Sequence, residues 1–195
     1  MSAATEVLAA FRSVSVTKNG VPILKQVSFS LQRGEVHAIT GAPGAGKSTV
    51  VAVLSGEVQH FSGEVEVRGV RYRSISPLLS RELGIATVRQ RLAAVPSLTV
   101  SETLFAPDLP TGIFYRIRER ELRARARELL RSFGADVDPR CKMRELTYDQ
   151  RSVISLAAAA SLRPDILVLD EVTSSFSSKL LDLVHRCVAE TVDRH

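Results

Sequence analysis

The sequence predicts an α/β fold in one domain, and three features support that prediction. The first third of the chain alternates between apolar and polar residues as short strands do, and residues 101–162 have helical periodicity. Residues 166–169 then form a continuous apolar run of the kind found in strands buried on both faces. With 195 residues, 45% of them hydrophobic, the chain is long enough to bury one sizeable core.

The predicted strands are concentrated in the N-terminal part. Alternation indicates antiparallel strands over residues 11–16 and 27–31, with turns at Asn19-Gly20 and Arg33-Gly34. Val36, Ala38 and Ile39 then indicate a strand that leads into a glycine-rich segment. Further strands are expected at residues 63–69, 84–90 and 166–171.

Helices are predicted between and after these strands. An apolar run at residues 50–54 follows the glycine-rich segment, and Ser76-Pro77 is a helix-start signal. One helix carries its apolar residues on a single face and has a plausible stop at Gly134. That face comprises Leu122, Ala126, Leu129, Leu130 and Phe133. A second helix is expected at 151–162, before Pro164, and a last one at 179–193.

The glycine-rich segment, residues 41–49, has the composition and spacing of a phosphate-binding loop. Its members are Gly41, Ala42, Pro43, Gly44, Ala45, Gly46, Lys47, Ser48 and Thr49. Glycine permits the backbone curvature that points successive N–H groups, from about residue 44 to 49, at phosphate oxygens. Lys47 would reach the β- and γ-phosphates and Ser48 would bind Mg²⁺, so the predicted ligands are a nucleoside triphosphate and Mg²⁺. The alternative is a glycine-rich turn followed by a chance Lys-Ser pair.

Two acids follow the apolar run at 166–169. Asp170 and Glu171 fall at the carboxyl end of that predicted strand, which is the edge where open α/β sheets bind ligands. Asp170 would hold Mg²⁺ through water, and Glu171 would be the base or water-orienting group for attack on the γ-phosphate. The alternative is a helix start whose acids face the helix dipole.

Composition narrows the class of protein. The two cysteines, Cys141 and Cys187, lack metal-ligand spacing, and the N-terminus lacks a basic segment leading into a long apolar run. No apolar stretch approaches the roughly 20 residues of a membrane helix. We therefore expect a reduced, cytoplasmic protein that reaches a membrane only through partners. The net charge of +5 is concentrated in an arginine-rich stretch, residues 116–131, which is either a solvated helix face or a nucleic-acid surface.

These motifs, in this order, resemble the ATP-binding cassette (ABC) of an ABC transporter, and the resemblance covers nearly the whole chain. Residues 34–38, 84–90 and 97–102 are most similar to the cassettes of simple-sugar importers. The resemblance implies a P-loop NTPase (ABC ATPase) core with an antiparallel β sub-lobe and a helical sub-lobe. We expect the core with its β sub-lobe at about 1–96 and 163–195, and the helical sub-lobe at about 97–162.

The resemblance also implies roles for particular residues. Lys47, Asp170 and Glu171 would act in catalysis, with Gln90 touching Mg²⁺ and relaying to a membrane subunit. Thr147 and Gln150 lie in the position of the family signature, a loop that binds the ATP of a second cassette across a dimer interface. The implied partners are transmembrane permease subunits, a second cassette, identical or not, and indirectly a solute-binding protein. The implied place is the inner face of the cell membrane, where the subunit is peripheral.

Several positions depart from the family pattern. Tyr148 and Asp149 replace two glycines, and a carboxylate near a phosphate would repel it by roughly 1 to 4 kcal/mol. Asp149 either weakens ATP binding or simply caps the helix at 151. Lys18 lies in the segment where the family has a ring that stacks on adenine. Phe11 is the only aromatic residue nearby, and it is a core candidate. Ser177 replaces an acid of the family pattern.

The chain also ends before the histidine that contacts the γ-phosphate, so we expect a C-terminally incomplete cassette. These departures leave three functions open. They are an ATPase that powers sugar import, a nearly inactive nucleotide-binding half of an asymmetric dimer, and, more weakly, a nucleic-acid-associated ATPase.

Overall fold

The computed structural model describes residues 6–89, 95–105, 119–170 and 177–194. They fall into two compact units. The first comprises residues 6–87, 164–170 and 188–194, and the second comprises the other described residues. Helices and strands alternate along the chain, so the predicted α/β class is confirmed.

A four-stranded antiparallel sheet dominates the first unit. Its strands are β1 (Val7–Lys18), β2 (Val21–Gln32), β3 (Ser62–Val67) and β4 (Val70–Tyr72), in the order β2-β1-β3-β4. Phe11 of β1 is paired with Phe29 of β2 on one side and with Val65 of β3 on the other. The N-terminal antiparallel strands and the turn at 19–20 are therefore as predicted.

The strand β1 is irregular near its middle. The register with β2 shifts between Phe11 and Val14, and Ser13 at that point has φ +51°. The Ser13 N–H donates to Ser28 Oγ at 2.8 Å, a side-chain bond in place of a ladder bond. A register shift of this kind is a β-bulge, in which one strand has an extra residue. It increases the local twist, which lets a long strand curve over its core.

The remaining elements of the first unit are shorter. They are α1 (Lys47–Leu54), α2 (Pro77–Glu82), β5 (Ile85–Arg89), β6 (Ile166–Asp170) and the end of α6 (Ser178–Asp193). The last two residues of β5 belong to the second unit. The strands β5 and β6 form a separate two-stranded sheet. Ser76 caps α2 as its Oγ accepts the Leu79 N–H at 3.1 Å, which confirms the helix start at Ser76-Pro77.

One apolar cluster fills the first unit. It joins the inner face of the antiparallel sheet, the buried side of α1, and the two-stranded sheet through Ile85 and Ile166. Val14, Val53, Val65 and Ile75 are completely buried in it. The helix that follows the phosphate loop is therefore attached to the same core as both sheets.

The second unit is mainly helical. It contains α3 (Val100–Phe105), α4 (Glu119–Ser132), a 3₁₀ turn (Met143–Glu145), α5 (Tyr148–Ser161) and most of α6. Leu104, Ala126, Leu130, Met143 and Ile154 pack together in its core. Ala126 and Leu130 belong to the apolar face predicted for the helix that ends before Gly134, and that prediction is confirmed.

Two expectations about strands are wrong. Residues 35–40 form no strand, and Val36 and Ile39 are 69% and 42% exposed, because no described strand forms a ladder with this segment. An apolar pattern specifies a strand only where a partner edge is available. The strand β6 is also less buried than predicted. Only Ile166 is buried and the next four residues are half-buried, since β5 is its only partner among the described strands.

None of the helices within the described ranges combines the length and the apolar composition needed to cross a bilayer.

The contact between α1 and α2 predicts a sharp requirement for glycine. Gly56 follows α1 with φ +76°, and a Cβ there would lie 2.3 Å from the Ser76 carbonyl carbon and 2.5 Å from the Pro77 nitrogen. Gly69 has nearly the same φ, +77°, but a Cβ there would meet nothing within 4 Å. It therefore provides a matched control for the backbone conformation alone.

We expect Gly69→Ala to lower the free energy of unfolding by about 1 to 2 kcal/mol, the strain of a left-handed backbone. Gly56→Ala should lose about 1 to 3 kcal/mol more, because backbone atoms have to move apart. Urea unfolding of the two variants measures the difference. Equal losses would show that α1 and α2 do not approach as closely as described.

The start of α3 predicts a pH dependence. Thr99 N–H and Thr99 Oγ1 donate to Glu102 Oε2 at 2.7 and 2.8 Å, and Glu102 N–H donates back to Thr99 Oγ1 at 3.2 Å. The hydrogen bond from the Thr99 backbone N–H lowers the pKa of Glu102 most, and the bond from the Thr99 hydroxyl lowers it further. A carboxylate with a lowered pKa stabilises the fold above its unfolded pKa, and that stabilisation is lost as pH falls through the folded value.

Glu102→Gln should therefore be less stable than the parent at pH 7 by about 0.3 to 1 kcal/mol, the effect of a negative charge near a helix N-terminus. The difference should shrink as pH falls below the ordinary glutamate pKa and through the lowered pKa of Glu102, where Glu102 itself becomes neutral. Urea unfolding of both proteins across this range measures it. A difference that is constant with pH would contradict the role of the carboxylate.

Candidate functional site

The phosphate loop, residues 41–49, joins an extended segment to the helix α1. Ala45 N–H donates to the Ala42 carbonyl at 3.1 Å, which closes a turn in the loop. Gly46 is the N-cap of α1, with φ +91°, and its carbonyl accepts the N–H groups of Thr49 and Val50 at 2.9 and 3.0 Å. The loop therefore turns directly into the first helical turn, as the sequence predicts.

Gly46 is required by packing as well as by its backbone conformation. The residue is buried, and a Cβ on it would lie 2.6 Å from Leu24 Cδ2 and 3.2 Å from the Ile23 carbonyl oxygen. Leu24 is itself 4% exposed and belongs to the core of the first unit. The loop is thus in close contact with β2 at the residue where the helix begins.

The loop presents unsatisfied backbone donors. The N–H groups of Gly44, Gly46, Lys47 and Ser48 donate to no acceptor in the described part of the chain. No side chain caps α1, and no acid occupies its first turn. Unpaired N–H groups at an exposed helix N-terminus attract anions, and the helix dipole adds to that attraction. This arrangement fits a phosphate group.

Lys47 places a positive charge within the same loop. Its Nζ donates to the carbonyl oxygens of Gly41 and Ala42 at 2.8 and 3.0 Å. The loop therefore curves around the ammonium group, which has three N–H bonds and retains one for a ligand. Ser48 is exposed and Thr49 is half-buried at the start of the helix.

The acids lie in β6 and beyond it. Asp170 is the last residue of β6 and is half-buried, and α1 packs against this strand in the first unit. Glu171 and Gln90 lie outside the described residues. Within the described ranges, no three His, Cys, Asp or Glu side chains are grouped as a metal site would require. The described oxygen donors for a metal are the Ser48 hydroxyl and the Asp170 carboxylate, which are hard ligands that suit Mg²⁺.

The candidate signature residues, Thr147 and Gln150, form a reciprocal capping box at the start of α5. Gln150 N–H donates to Thr147 Oγ1 at 3.3 Å, and Thr147 N–H donates to Gln150 Oε1 at 2.9 Å. The helix begins at Tyr148, three residues before the predicted start. The suggestion that Asp149 caps this helix is wrong, because Thr147 is the N-cap.

The pattern Thr-x-x-Gln ahead of an apolar helical run is a signal for this box, and it was available in the sequence. Both side chains act as acceptors in it, so the Thr147 hydroxyl hydrogen and the Gln150 NH₂ group stay free to donate. Tyr148 is 41% exposed and Asp149 is also exposed. The first turn of α5 therefore presents two donors and one carboxylate.

The other residues singled out in the sequence have mainly structural places. Phe11 is 2% exposed and its ring stacks on Phe29 at 4.7 Å, which confirms it as core. Lys18 is exposed at the end of β1. The Ser177 carbonyl accepts the N–H groups of Leu180 and Leu181 at 3.0 Å, so this residue directly precedes α6 and accepts its first helical hydrogen bonds.

Comparison with known families and relatives agrees with this geometry. A family model described as ABC transporter matches residues 24–174. A ribose import ATP-binding protein of Rhizobium meliloti (strain 1021) is 36% identical over 187 residues, which is 96% of this chain and 36% of the relative. An arabinose import ATP-binding protein of Burkholderia pseudomallei (strain K96243) is 36% identical over 178 residues, 91% of this chain and 35% of the relative. The chain thus spans about a third of the length of these relatives.

Solved structures with the same fold are more distant in sequence. The ADP conformation of an ATP-binding cassette of an ABC transporter has a TM-score of 0.77 at 21% identity, covering 97% of this chain and 78% of that one. A nucleotide-free ATP-binding cassette has a TM-score of 0.80 at 20% identity, covering 96% and 78%. At these identities the likeness concerns the fold. With the family match extending from Leu24 through the phosphate loop to Ser174, the chain belongs to the ABC transporter family.

Proposed function

We propose that this chain binds ATP with Mg²⁺ and hydrolyses it as the subunit that powers import of a sugar through permease subunits in the membrane. The observation that carries the proposal is the phosphate loop, where four unpaired N–H groups and Lys47 Nζ converge on an uncapped helix N-terminus. The sugar class comes from two similar proteins, which are ribose and arabinose import ATP-binding proteins.

Binding begins with the phosphates. The N–H groups of the loop hold the β- and γ-phosphate oxygens, and Lys47 donates its remaining N–H to a γ-phosphate oxygen. This bond costs little because the ammonium already lies inside the loop, with one N–H bond free. The Thr49 hydroxyl would add a further donor, since the Thr49 N–H is already bonded to the Gly46 carbonyl, and Gly41 and Gly44 give the chain its curvature.

Metal binding and hydrolysis involve Asp170 at the end of β6 and Glu171, the next residue in the sequence. Ser48, Asp170 and Gln90 would hold Mg²⁺, directly or through water, and the metal would neutralise phosphate charge. Glu171 orients the attacking water and accepts its proton. Lys47 stabilises the charge that develops on the γ-phosphate oxygens.

A second cassette, identical or not, completes the site. Thr147 and Gln150 of one cassette would donate to the ATP held by the other, using the hydroxyl and amide hydrogens that the capping box leaves free. The subunit would be peripheral on the inner face of the membrane, with a solute-binding protein acting on the outside. The β-sheet part and the helical part would serve as the two sub-lobes of the cassette.

A second candidate function is favoured by Asp149. Its exposed carboxylate lies in the first turn of α5, beside the two signature donors, where it would repel an incoming phosphate. The chain would then be a nucleotide-binding but nearly inactive half of an asymmetric dimer. ATP binding without turnover, even with a catalytically complete partner cassette present, would favour this function over the first.

Lys47 and Glu171 provide the direct test. We expect Lys47→Ala to bind ATP about 10- to 100-fold more weakly in calorimetry, because a charged hydrogen bond to phosphate is lost. Lys25→Ala, at an exposed lysine outside the loop, should bind as the parent does. Glu171→Gln should retain ATP binding while phosphate release falls on the order of 10²- to 10⁴-fold. Equal release from parent and Glu171→Gln would remove Glu171 from catalysis.

Thr147 is tested by a pair of substitutions. Thr147→Ala should lower the stability by about 1 kcal/mol through loss of the N-cap, whereas Thr147→Ser should keep the cap. If Thr147 also donates to ATP, Thr147→Ala should reduce ATP hydrolysis at temperatures where both variants are fully folded. Unchanged hydrolysis there would restrict Thr147 to capping.

A further inference from the structure

The helix α4 carries three arginines in a line on its outer surface. These are Arg120, Arg127 and Arg131, and all three are exposed. Arg127 and Arg131 follow Arg120 by seven and eleven residues. At 3.6 residues per turn they lie within about 20° of Arg120 around the helix and extend about 16 Å along it. We call this set of three residues the arginine stripe. The buried residues Ala126 and Leu130 lie about 120° and about 80° around the helix from Arg120.

The stripe differs from the other arginines of α4 in its contacts. Arg123 is paired with Glu119 at 2.5 Å, and Arg125 lies over the Phe105 ring at 4.9 Å. The guanidinium groups of the stripe have no ion-pair or hydrogen-bond partner among the described residues. Three charges at this spacing, without internal partners, are available to an anionic surface.

The acids beside the stripe limit the shape of that surface. Glu121 and Glu128 are exposed and lie about 80 to 100° around the helix from Arg120. A groove, such as that of a nucleic acid, would surround the helix and bring these carboxylates against phosphates. A flat surface touches only the stripe. Recognition of single strands also uses aromatic rings for base stacking, and the stripe contains none.

We propose that the arginine stripe binds the anionic phospholipid headgroups of the membrane that contains the permease, an inference that rests on the proposed function. The contact is electrostatic and peripheral, since the exposed side of α4 offers charged residues and no large apolar group for insertion. Each arginine near such a surface contributes about a fivefold gain in binding, so three together give on the order of 100-fold.

The test is co-sedimentation of the full chain with vesicles at low and high salt. One set of vesicles is phosphatidylcholine, and the other is equal parts of phosphatidylcholine and phosphatidylglycerol. The stripe variant is R120Q/R127Q/R131Q. The matched control, K25Q/R144Q/R186Q, removes three positive charges from other exposed positions. Circular dichroism of both variants confirms that they are folded.

We expect the parent and the control to bind the anionic vesicles in a salt-sensitive way, and the stripe variant to bind on the order of 100-fold more weakly. Equal weakening in both variants, or equal binding to neutral vesicles, would overturn the proposal. Binding that depends on the stripe but occurs only with DNA or RNA oligonucleotides would overturn it in favour of a nucleic acid.

Calorimetric ATP binding and phosphate release on the same proteins separate this inference from the proposed function. If both are absent while vesicle binding depends on the stripe, the proposed function fails and the lipid contact remains. If both are present while vesicle binding is unaffected by the stripe, the inference fails and the proposed function remains.

Discussion

The contact between Gly46 and β2 is the constraint on which the candidate site depends. Residue 46 has φ +91°, and a Cβ there would lie 2.6 Å from Leu24 Cδ2 and 3.2 Å from the Ile23 carbonyl oxygen, so a side chain at this position would strain the backbone and displace a buried leucine. The Gly46 carbonyl then begins α1, and the apolar side of α1 packs into the core shared with both sheets. The direction in which the phosphate loop points its N–H groups is therefore set by the core, while the loop itself stays exposed.

The positive charge of Lys47 lies within this geometry and is held there by backbone carbonyl groups. An unpaired ammonium next to unpaired N–H donors would be repelled by the same helix dipole that attracts phosphate. The carbonyl oxygens of Gly41 and Ala42 offset that repulsion and keep the ammonium inside the loop. The charge is thus already close to where a γ-phosphate would lie, and binding requires little reorganisation of the loop.

Local patterns in the sequence predicted much of this. The phosphate loop, the paired strands around Asn19-Gly20 and the cap at Ser76 each depend on residues close together in the chain, and the structure has them. The failures concern long-range pairing. The apolar alternation at residues 36–39 cannot specify which strand edge it meets, and it forms no ladder. The capping box of Thr147 and Gln150 is local, and the pattern Thr-x-x-Gln specifies it.

The two helix N-termini assigned to phosphate in the proposed function are electrostatically unequal. The first turn of α1 has no acid and no side-chain cap, so its positive end is open to an external anion. The first turn of α5 contains Asp149, and Thr147 caps it, so part of its dipole is already neutralised by the chain itself. If two copies formed a dimer, each composite site would combine a strong phosphate donor set from α1 with a weaker one from α5. ATP affinity would then come mainly from the loop of one chain, and the energy available to close the dimer would be small. A partner cassette with glycines in place of Tyr148 and Asp149 would strengthen only the site built on this chain's phosphate loop, which is the site that retains Lys47.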